Sequence, residues 1–392
     1  MTPTLPPELW RGILQFATSD GVDYNLGRMR GDSLKTRKTQ SEMIMHMKTK
    51  VDITRVSRLF NQIGAEFLYE HVRIEDANRA VKLFERLSAA GPNGPRQWIK
   101  VIVVDNVESR GDPPESDIAA ATITGILRLC ADLRGFFWFH PMSGAHFKSR
   151  KSSEEMMTHI PRNIQIFRWS ADVECPTFAA FLHKASTSLR VLVIMGYIDC
   201  HCTAHSPITF PSLTHLALGK TTNALNSLGP MPSLTEFTLR ACDYNGDNIL
   251  ARVLTPERTK ALRVVRFGYG VRVHVMNNFF APMLVACPIL QEIHYYSYLG
   301  HPSSTPWTSD LSHPTLQHLS VIAMGKTRYR DLQNARSELC LHLLNISASR
   351  FPSLDTVTVD RVLFGSAEST DFTRLMLRRV TDDFSSAEIS II

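Results

Sequence analysis

Phe210-Pro211-Ser212-Leu213-Thr214-His215-Leu216-Ala217-Leu218 carries the pattern that decides the fold, and Met231-Pro232-Ser233-Leu234-Thr235-Glu236-Phe237-Thr238-Leu239 repeats it. Three more copies share the x-Pro-x-Leu start: Cys287-Pro288-Ile289-Leu290, His313-Pro314-Thr315-Leu316 and Phe351-Pro352-Ser353-Leu354. Proline cannot continue a helix, and it biases the residue before it toward extended backbone. The start therefore stops one element and launches a strand. Apolar residues follow at the leucine and three and five positions later. The last two share one face of a strand, because side chains alternate with period two. Looser copies without the proline begin at Ile99, Leu133, Ile164, Leu189 and Leu262. Successive starts are 21 to 38 residues apart.

Units of this length, each with one L-x-x-L-x-L strand, resemble leucine-rich repeats over roughly residues 97 to 392. Among the proline-started copies, the Asn/Cys that this family places three residues past the last leucine is matched only by Cys242. The expected fold is α/β. A helical module over residues 1–76 precedes an irregular repeat solenoid over 77–392, with parallel strands on its concave face and helices outside.

The element readings follow from the same pattern. Asn78 to Ala90 reads as a helix, closed by Gly91-Pro92-Asn93-Gly94-Pro95. Trp98 to Val104 is the first strand, Arg110 to Glu115 a loop, Ile118 to Leu133 a helix, and Phe136 to Phe139 the second strand. Residues 141–155 read as a surface loop, and residues 299–312 as a loop on one rim. Phe178–Ala185, Asn277–Ala286, Leu339–Ala348 and Phe372–Val380 read as helices of later repeats.

At the N-terminal end, Leu5-Pro6-Pro7-Glu8-Leu9 opens a helix, with proline in the first turn and Glu8 suited to the helix dipole. Leu9, Ile13, Phe16 and Ala17 form one apolar stripe, widened by Trp10 and Leu14. That stripe either packs on the rest of the chain or docks a partner helix. Ile53, Val56, Phe60, Ile63 and Phe67 define a second amphipathic helix, weakened or broken at Gly64, which leads into an extended segment by Ile74. Between the two lies a segment, residues 28–50, with a local net charge of +5. It reads as a solvated loop, with a nucleic-acid or nuclear-localisation patch as the alternative.

Leu5-Pro6-Pro7-Glu8-Leu9, then Val56-Ser57-Arg58-Leu59-Phe60-Asn61-Gln62-Ile63, then Phe67-Leu68-Tyr69 resemble an F-box. The likeness is to the F-box-like proteins of mushroom-forming fungi, which often carry an insertion between the two helices. Phe60 stands where that family more often has Trp. The resemblance implies docking on the Skp-type adaptor of a cullin–RING ubiquitin ligase. Leu5, Pro6, Leu9, Trp10, Ile13, Val56 and Phe60 match the family's apolar contact positions. The competing reading is that these residues cap the end of the repeat array, as such arrays require.

Strand residues between the apolar positions face the open side: Phe137, Phe139, Arg168, His215, Glu236, Arg240, Arg266, His294, Tyr296, His318, Thr356 and Asp360. The first ten are the candidate target-binding residues, because repeat arrays bind partners there and Arg, Tyr and Phe are favoured at binding hot spots.

The net charge of +6 over 392 residues does not call for nucleic acid. Seven scattered cysteines fit reduced thiols of the cytosol or nucleus. No signal-peptide pattern or membrane-length apolar run is present, so no membrane partner is expected. Asn345-Ile346-Ser347 is a formal sequon in a helical pattern. Cys200-His201-Cys202-Thr203-Ala204-His205 holds four zinc-type ligands, but adjacent residues rarely reach one tetrahedron, so the default is a polar loop. Phosphate-loop, nucleophile-elbow and His-Glu-x-x-His motifs are missing. The expectation is a non-enzymatic protein without cofactor. It would be a target-recognition subunit of an SCF-type ubiquitin ligase, joined through the adaptor to a cullin and binding an unidentified target protein. The alternative is a repeat scaffold with no ligase role, and an enzyme built on Cys200–His205 is remote.

Overall fold

The structure, a computed structural model, describes residues 5–18, 48–91, 94–105, 113–139, 150–196, 198–199, 207–219, 228–241, 254–271, 280–299, 307, 311–325, 346–347, 349–361 and 388–391. The chain divides into two compact units, Met1–Val191 and Leu192–Ile392.

The first unit begins with α1 (Pro7–Thr18), a helix over 48–56 (α2) and α3 (Arg58–Glu70), followed by β1 (His71–Ile74) and α4 (Ala77–Ala89). Strand β2 (Val101–Asp105), helix α5 (Pro113–Leu129), strand β3 (Gly135–Phe139), helix α6 (Arg150–His159), strand β4 (Ile166–Trp169) and helix α7 (Cys175–Ala185) then alternate. Strands β1 to β4 pair in chain order, all parallel. In the second unit β5 (Val191–Ile194, its first residue in the first unit) leads to β6 (His215–Leu218) and β7 (Glu236–Ala241). A short helix α8 (Pro256–Thr259), β8 (Val264–Gly270), α9 (Phe280–Ala286), β9 (Glu292–Leu299), β10 (His318–Gly325), β11 (Thr356–Arg361) and β12 (Glu388–Ile391) follow. From β6 to β12 each strand pairs in parallel with the next. The α/β class and the parallel strands are as the repeat pattern requires.

The pattern's three apolar positions are the core. Leu213, Leu216 and Leu218 are at most 1% exposed, and Leu234, Phe237 and Leu239 likewise. The loose copies behave identically: Leu133, Phe136 and Trp138, or Ile164, Phe167 and Trp169, are all buried. The residue three before the leucine is buried as well, whether Phe210, Met231, Phe351, Cys130, Cys287, Thr259 or His313. Its carbonyl closes a turn onto the leucine N–H, as in Met231 O to Leu234 N at 3.1 Å. His313 is tolerated because its Nε2–H donates to Cys287 O at 2.9 Å and burial pushes its pKa down, keeping it neutral.

One carbonyl per repeat carries the chain to the next. Lys100 O accepts from Arg134 N and Gly135 N, and Arg134 O from Gln165 N and Ile166 N. In the second unit Thr214 O, Thr235 O, Arg263 O, Gln291 O and Gln317 O each accept two N–H groups from the next repeat in the same way. Hydroxyls just before the leucine add a second stitch. Ser233 Oγ donates to Pro211 O at 2.7 Å, Thr315 Oγ1 to Leu290 O at 2.9 Å and Ser353 Oγ to Pro314 O at 2.6 Å.

Several expectations are corrected. The helix expected through Ile53 and Phe67 breaks at Ser57, whose extended backbone (φ −160°) and side chain cap α3 by accepting Phe60 N at 3.1 Å. It does not break at Gly64, which is buried inside an unbroken α3. A Cβ there would stand 2.9 Å from Thr54 Cγ2, so glycine permits the close approach of α2. Residues 150–155, expected as loop, begin α6, and Pro113–Glu115 begin α5. Helix α5 ends at Leu129, before Leu133, which instead follows a turn from Cys130 O. Within the stretch expected to ride on a rim, Trp307 is 1% exposed and its Nε1 donates to the Tyr295 hydroxyl at 3.0 Å. Ile346 and Ser347, expected within a helix over Leu339–Ala348, are not helical. The rest of that helix, the expected helix Phe372–Val380, the sequon Asn345, most of the basic segment, Cys200–His205 and Cys242 lie outside the described residues.

Two comparisons test this packing. Phe237→Ala should cost about 3–5 kcal/mol in urea unfolding, whereas Thr238→Ala beside it should cost under about 0.5 kcal/mol. Gly64→Ala should destabilise by about 1 kcal/mol or more despite alanine's better helix propensity, and adding Thr54→Ser, which removes the opposing methyl, should restore most of the loss.

Candidate functional site

Helix α1 packs on α3 through Leu14, which joins buried Ile63 and Phe67 in one cluster with Trp10, Ile53 and Phe60 at its margin. The Trp10 and Phe60 rings meet edge to face at 4.9 Å. The Arg11 guanidinium donates twice to Glu66, at 3.2 and 2.9 Å, and fixes the two helices further. Asn61 Nδ2 donates to Thr54 O at 3.0 Å, tying α2 to α3. This framework buries only one side of the amphipathic stripe. Leu5 is 42% exposed, Leu9 54%, Ile13 47%, Val56 68% and Leu59 40%. Pro6 is exposed too, while Trp10 and Phe60 are half-buried. The seven matched positions therefore lie just before and along α1, at the end of α2 and at the start of α3, joined by the Trp10–Phe60 pair. Leu59 belongs with them, although the sequence reading passed over it. The side chains of Phe16 and Ala17 lie outside the described ones. Large apolar side chains half in water gain roughly 1 kcal/mol each when something covers them.

On the open face of the first unit, Phe137 and Phe139 stack with centroids 6.3 Å apart, and the Arg168 guanidinium lies 4.0 Å from the Phe139 ring centre. Phe137, although on that face, is only 5% exposed; Phe139 and Arg168 are half-exposed. On the second unit the expected residues meet as a charge chain. His215 Nε2 lies 3.1 Å from Glu236 Oε1, and Arg266 reaches Glu236 at 2.5 Å and Glu292 at 3.8 Å. His294 Nε2 lies 3.2 Å from Glu292. Glu292 is the link that the sequence reading missed, because it faces the open side on β9 one alternation before His294. His318 pairs across from Glu292 in register. Arg266 is likewise only 9% exposed, since two flanking carboxylates and their strands cover it. Arg240, Tyr296, His318 and Thr356 are half-exposed on their strands, and the Asp360 side chain lies outside the described ones.

Among the described residues no group of three or more His, Cys, Asp or Glu could hold a metal ion. Burial pushes the Cys130 and Cys287 thiols up to about 12, which removes them as nucleophiles. A groove lined by Arg128, His159, Arg162 and Lys184 lies at the C-terminal ends of α5, α6 and α7. Arg128 is met by Glu155 at 2.9 Å and by His159 Nε2, and Lys184 Nζ donates to Thr158 O at 3.0 Å. Cations at helix C-termini offset the helix dipole, which accounts for this cluster without a ligand. No helix among the described residues is long and apolar enough to cross a membrane.

No protein-family model matches the chain, and no curated protein matches it. Among solved structures it is similar to the leucine-rich repeat-containing protein LegL7 from Legionella pneumophila, with a TM-score of 0.38 and 12% identity. The alignment covers 78% of this chain and 97% of that one.

The charge chain makes a pH prediction. The His294 hydrogen bond, and then the charges of His294 and Arg266, hold the Glu292 carboxyl below the usual carboxylate range. A depressed carboxyl contributes stability that is complete above the ordinary glutamate pKa of about 4.3 and is lost as pH falls through the lower folded value. Urea midpoints measured at about pH 7 and about pH 3 should therefore fall less for Glu292→Gln than for the wild type. An equal fall in both would show that Glu292 gains nothing from its neighbours.

Proposed function

We propose that the chain is a target-recognition subunit of an SCF-type ubiquitin ligase. Its N-terminal helices bind a Skp-type adaptor, and the open strand faces of its repeats bind a target protein. One observation carries this reading: Leu5, Leu9, Ile13, Val56 and Leu59 stand 40–68% exposed around the Trp10–Phe60 contact. A stripe serving only to cap the repeats would be buried on them. An exposed stripe spread over three helices, at the positions that resemble an F-box, is what docking requires. Contiguous apolar exposure of this kind marks an interaction surface.

In this reading no residue of the chain transfers ubiquitin. Holding a target beside a ubiquitin-loaded enzyme elsewhere in the complex raises its effective concentration, and that proximity is the contribution to catalysis. The second reading, a repeat scaffold without a ligase role, keeps the target-binding face and discards the adaptor. The separately organised face residues, an aromatic–arginine cluster in one unit and a charge chain in the other, serve either reading.

A pull-down with a purified fungal Skp-type adaptor separates the two. The wild type should be retained. Leu9→Asp/Ile13→Asp should lose retention by tenfold or more while its circular dichroism stays unchanged, because both side chains are already in water. Failure of the wild type to bind would leave the scaffold reading.

A further inference from the structure

The backbone junction between repeats is made by the residue just after the leucine, and these residues form a row along the edge where the strands begin. In the second unit the row reads Thr214, Thr235, Arg263, Gln291, Gln317 and Asp355. It is mostly neutral, so the junction itself does not require a cation. In the first unit the row reads Lys100, Arg134, Gln165 and Arg190, with Arg134 and Arg190 exposed. Val101 and Gly135 pair in register, so Lys100 and Arg134, one residue before each, stand side by side about 5 Å apart. Like charges placed across neighbouring strands destabilise a sheet. The helix dipole accounts for Arg128 and Lys184 on the same edge, but it does not reach side chains at strand starts. The acids of this edge are Glu70, Glu85, Asp132 and Glu155. Asp132 lies 3.7 Å from Lys100 Nζ, and Glu155 answers Arg128 at 2.9 Å. Glu70 and Glu85 stand at the near end, beside Arg86 and Arg96. The side chains of Arg134 and Arg162 meet none of these acids and form no hydrogen bond or ion pair among the described residues. Side chains that break a local rule without a compensating contact point to a role outside the fold.

We infer that the strand-start edge of the first unit binds an acidic, extended segment of a protein partner, whose carboxylates lie along Lys100, Arg134 and Arg190. The inference stands apart from the adaptor, since a ligase subunit and a repeat scaffold alike bind a protein. Arg128, Arg162 and Lys184 at the helix ends strengthen the positive field of the same edge. The row covers about 15 Å, the reach of about five extended residues. A nucleic acid is disfavoured as the occupant. Asp132 and Glu155 interrupt the cations and would repel a continuous phosphate backbone, whereas discrete carboxylates fit between them. A second copy of this chain docking edge to edge is disfavoured as well, because Arg134 and Arg190 would face like charges.

The test is fluorescence anisotropy of a labelled Glu-Gly repeat peptide titrated with the full chain at about 0.1 M salt. The wild type should bind it. Arg134→Glu/Arg190→Glu should weaken binding about tenfold or more. Arg55→Glu/Lys82→Glu makes the same charge change at exposed positions on α2 and in the middle of α4, and should weaken it less than about twofold. Arg134→Glu alone should bind several-fold more weakly yet melt no lower than the wild type, because it gives Lys100 an acid in place of a like charge. Weaker binding with stability held excludes a folding defect as the cause. Equal losses in the two double variants would reduce the attraction to general charge and overturn the site. Tighter binding of single-stranded DNA or of phosphatidylserine vesicles, lost in Arg134→Glu/Arg190→Glu, would overturn the protein partner. No binding of the Glu-Gly peptide by the wild type would overturn the inference outright, and it would leave the adaptor pull-down unaffected.

Discussion

One carbonyl oxygen in most of the described repeats, accepting two N–H groups from the repeat that follows, is the constraint on which the rest of the structure depends. It fixes where the next strand begins, and through period-two alternation it fixes which side chains point to the core. The register is then copied from strand to strand, so that Glu236, Val264, Glu292, His318 and Thr356 stand in one row across β7 to β11. A slip of one residue in any strand would send its buried leucines to the open side. The hydroxyl just before the leucine, as in Ser233, Thr315 and Ser353, tightens the same junction from the side chain.

Because the junction is made by backbone, intervening segments are free to vary. Successive starts differ in spacing by nearly a factor of two, and the connection holds a helix of 17 residues in one repeat and of four in another. What cannot vary is the buried triad and the turn before it. That is why aromatic residues replace leucine so readily in β3 and β4, where Phe136, Trp138, Phe167 and Trp169 fill the same positions and pack ring on ring. The open face obeys a weaker rule. Its charged residues need only partners, and in the second unit they largely find each other, so that Arg266 sits between two carboxylates.

The N-terminal helices are built differently. Three helices around Leu14, Ile63 and Phe67 give a small core, and a small core covers only part of an amphipathic surface. The bidentate Arg11–Glu66 pair and the Ser57 cap hold α1 and α3 in place without burying Leu9, Ile13 or Val56. Fold stability and surface chemistry are thus assigned to different residues on the same helices.

The sequence by itself determined the α/β class, most of the strands and the core, although His71–Ile74, read only as an extended segment, proves to be the sheet's first strand and the strand expected from Trp98 begins at Val101. Proline geometry, period-two alternation and a recurring triad are local rules, and they needed no tertiary partner to be read. The stripe on α1 was legible for the same reason. Only the tertiary structure decided what covers what. Gly64 reads as a helix breaker in isolation and proves to be the point where α2 approaches α3, because the approach of a distant Thr54 methyl outweighs helix propensity. Trp307 reads as a loop residue and is buried on Tyr295 twelve residues away. Glu292 and Arg266 read as two unrelated charges and become one chain, because their spacing is set by register between strands, which neighbouring residues in the sequence do not encode. Exposure of Leu9 and Val56, the observation that most bears on function, is likewise a property of how three helices meet, and no periodicity could supply it.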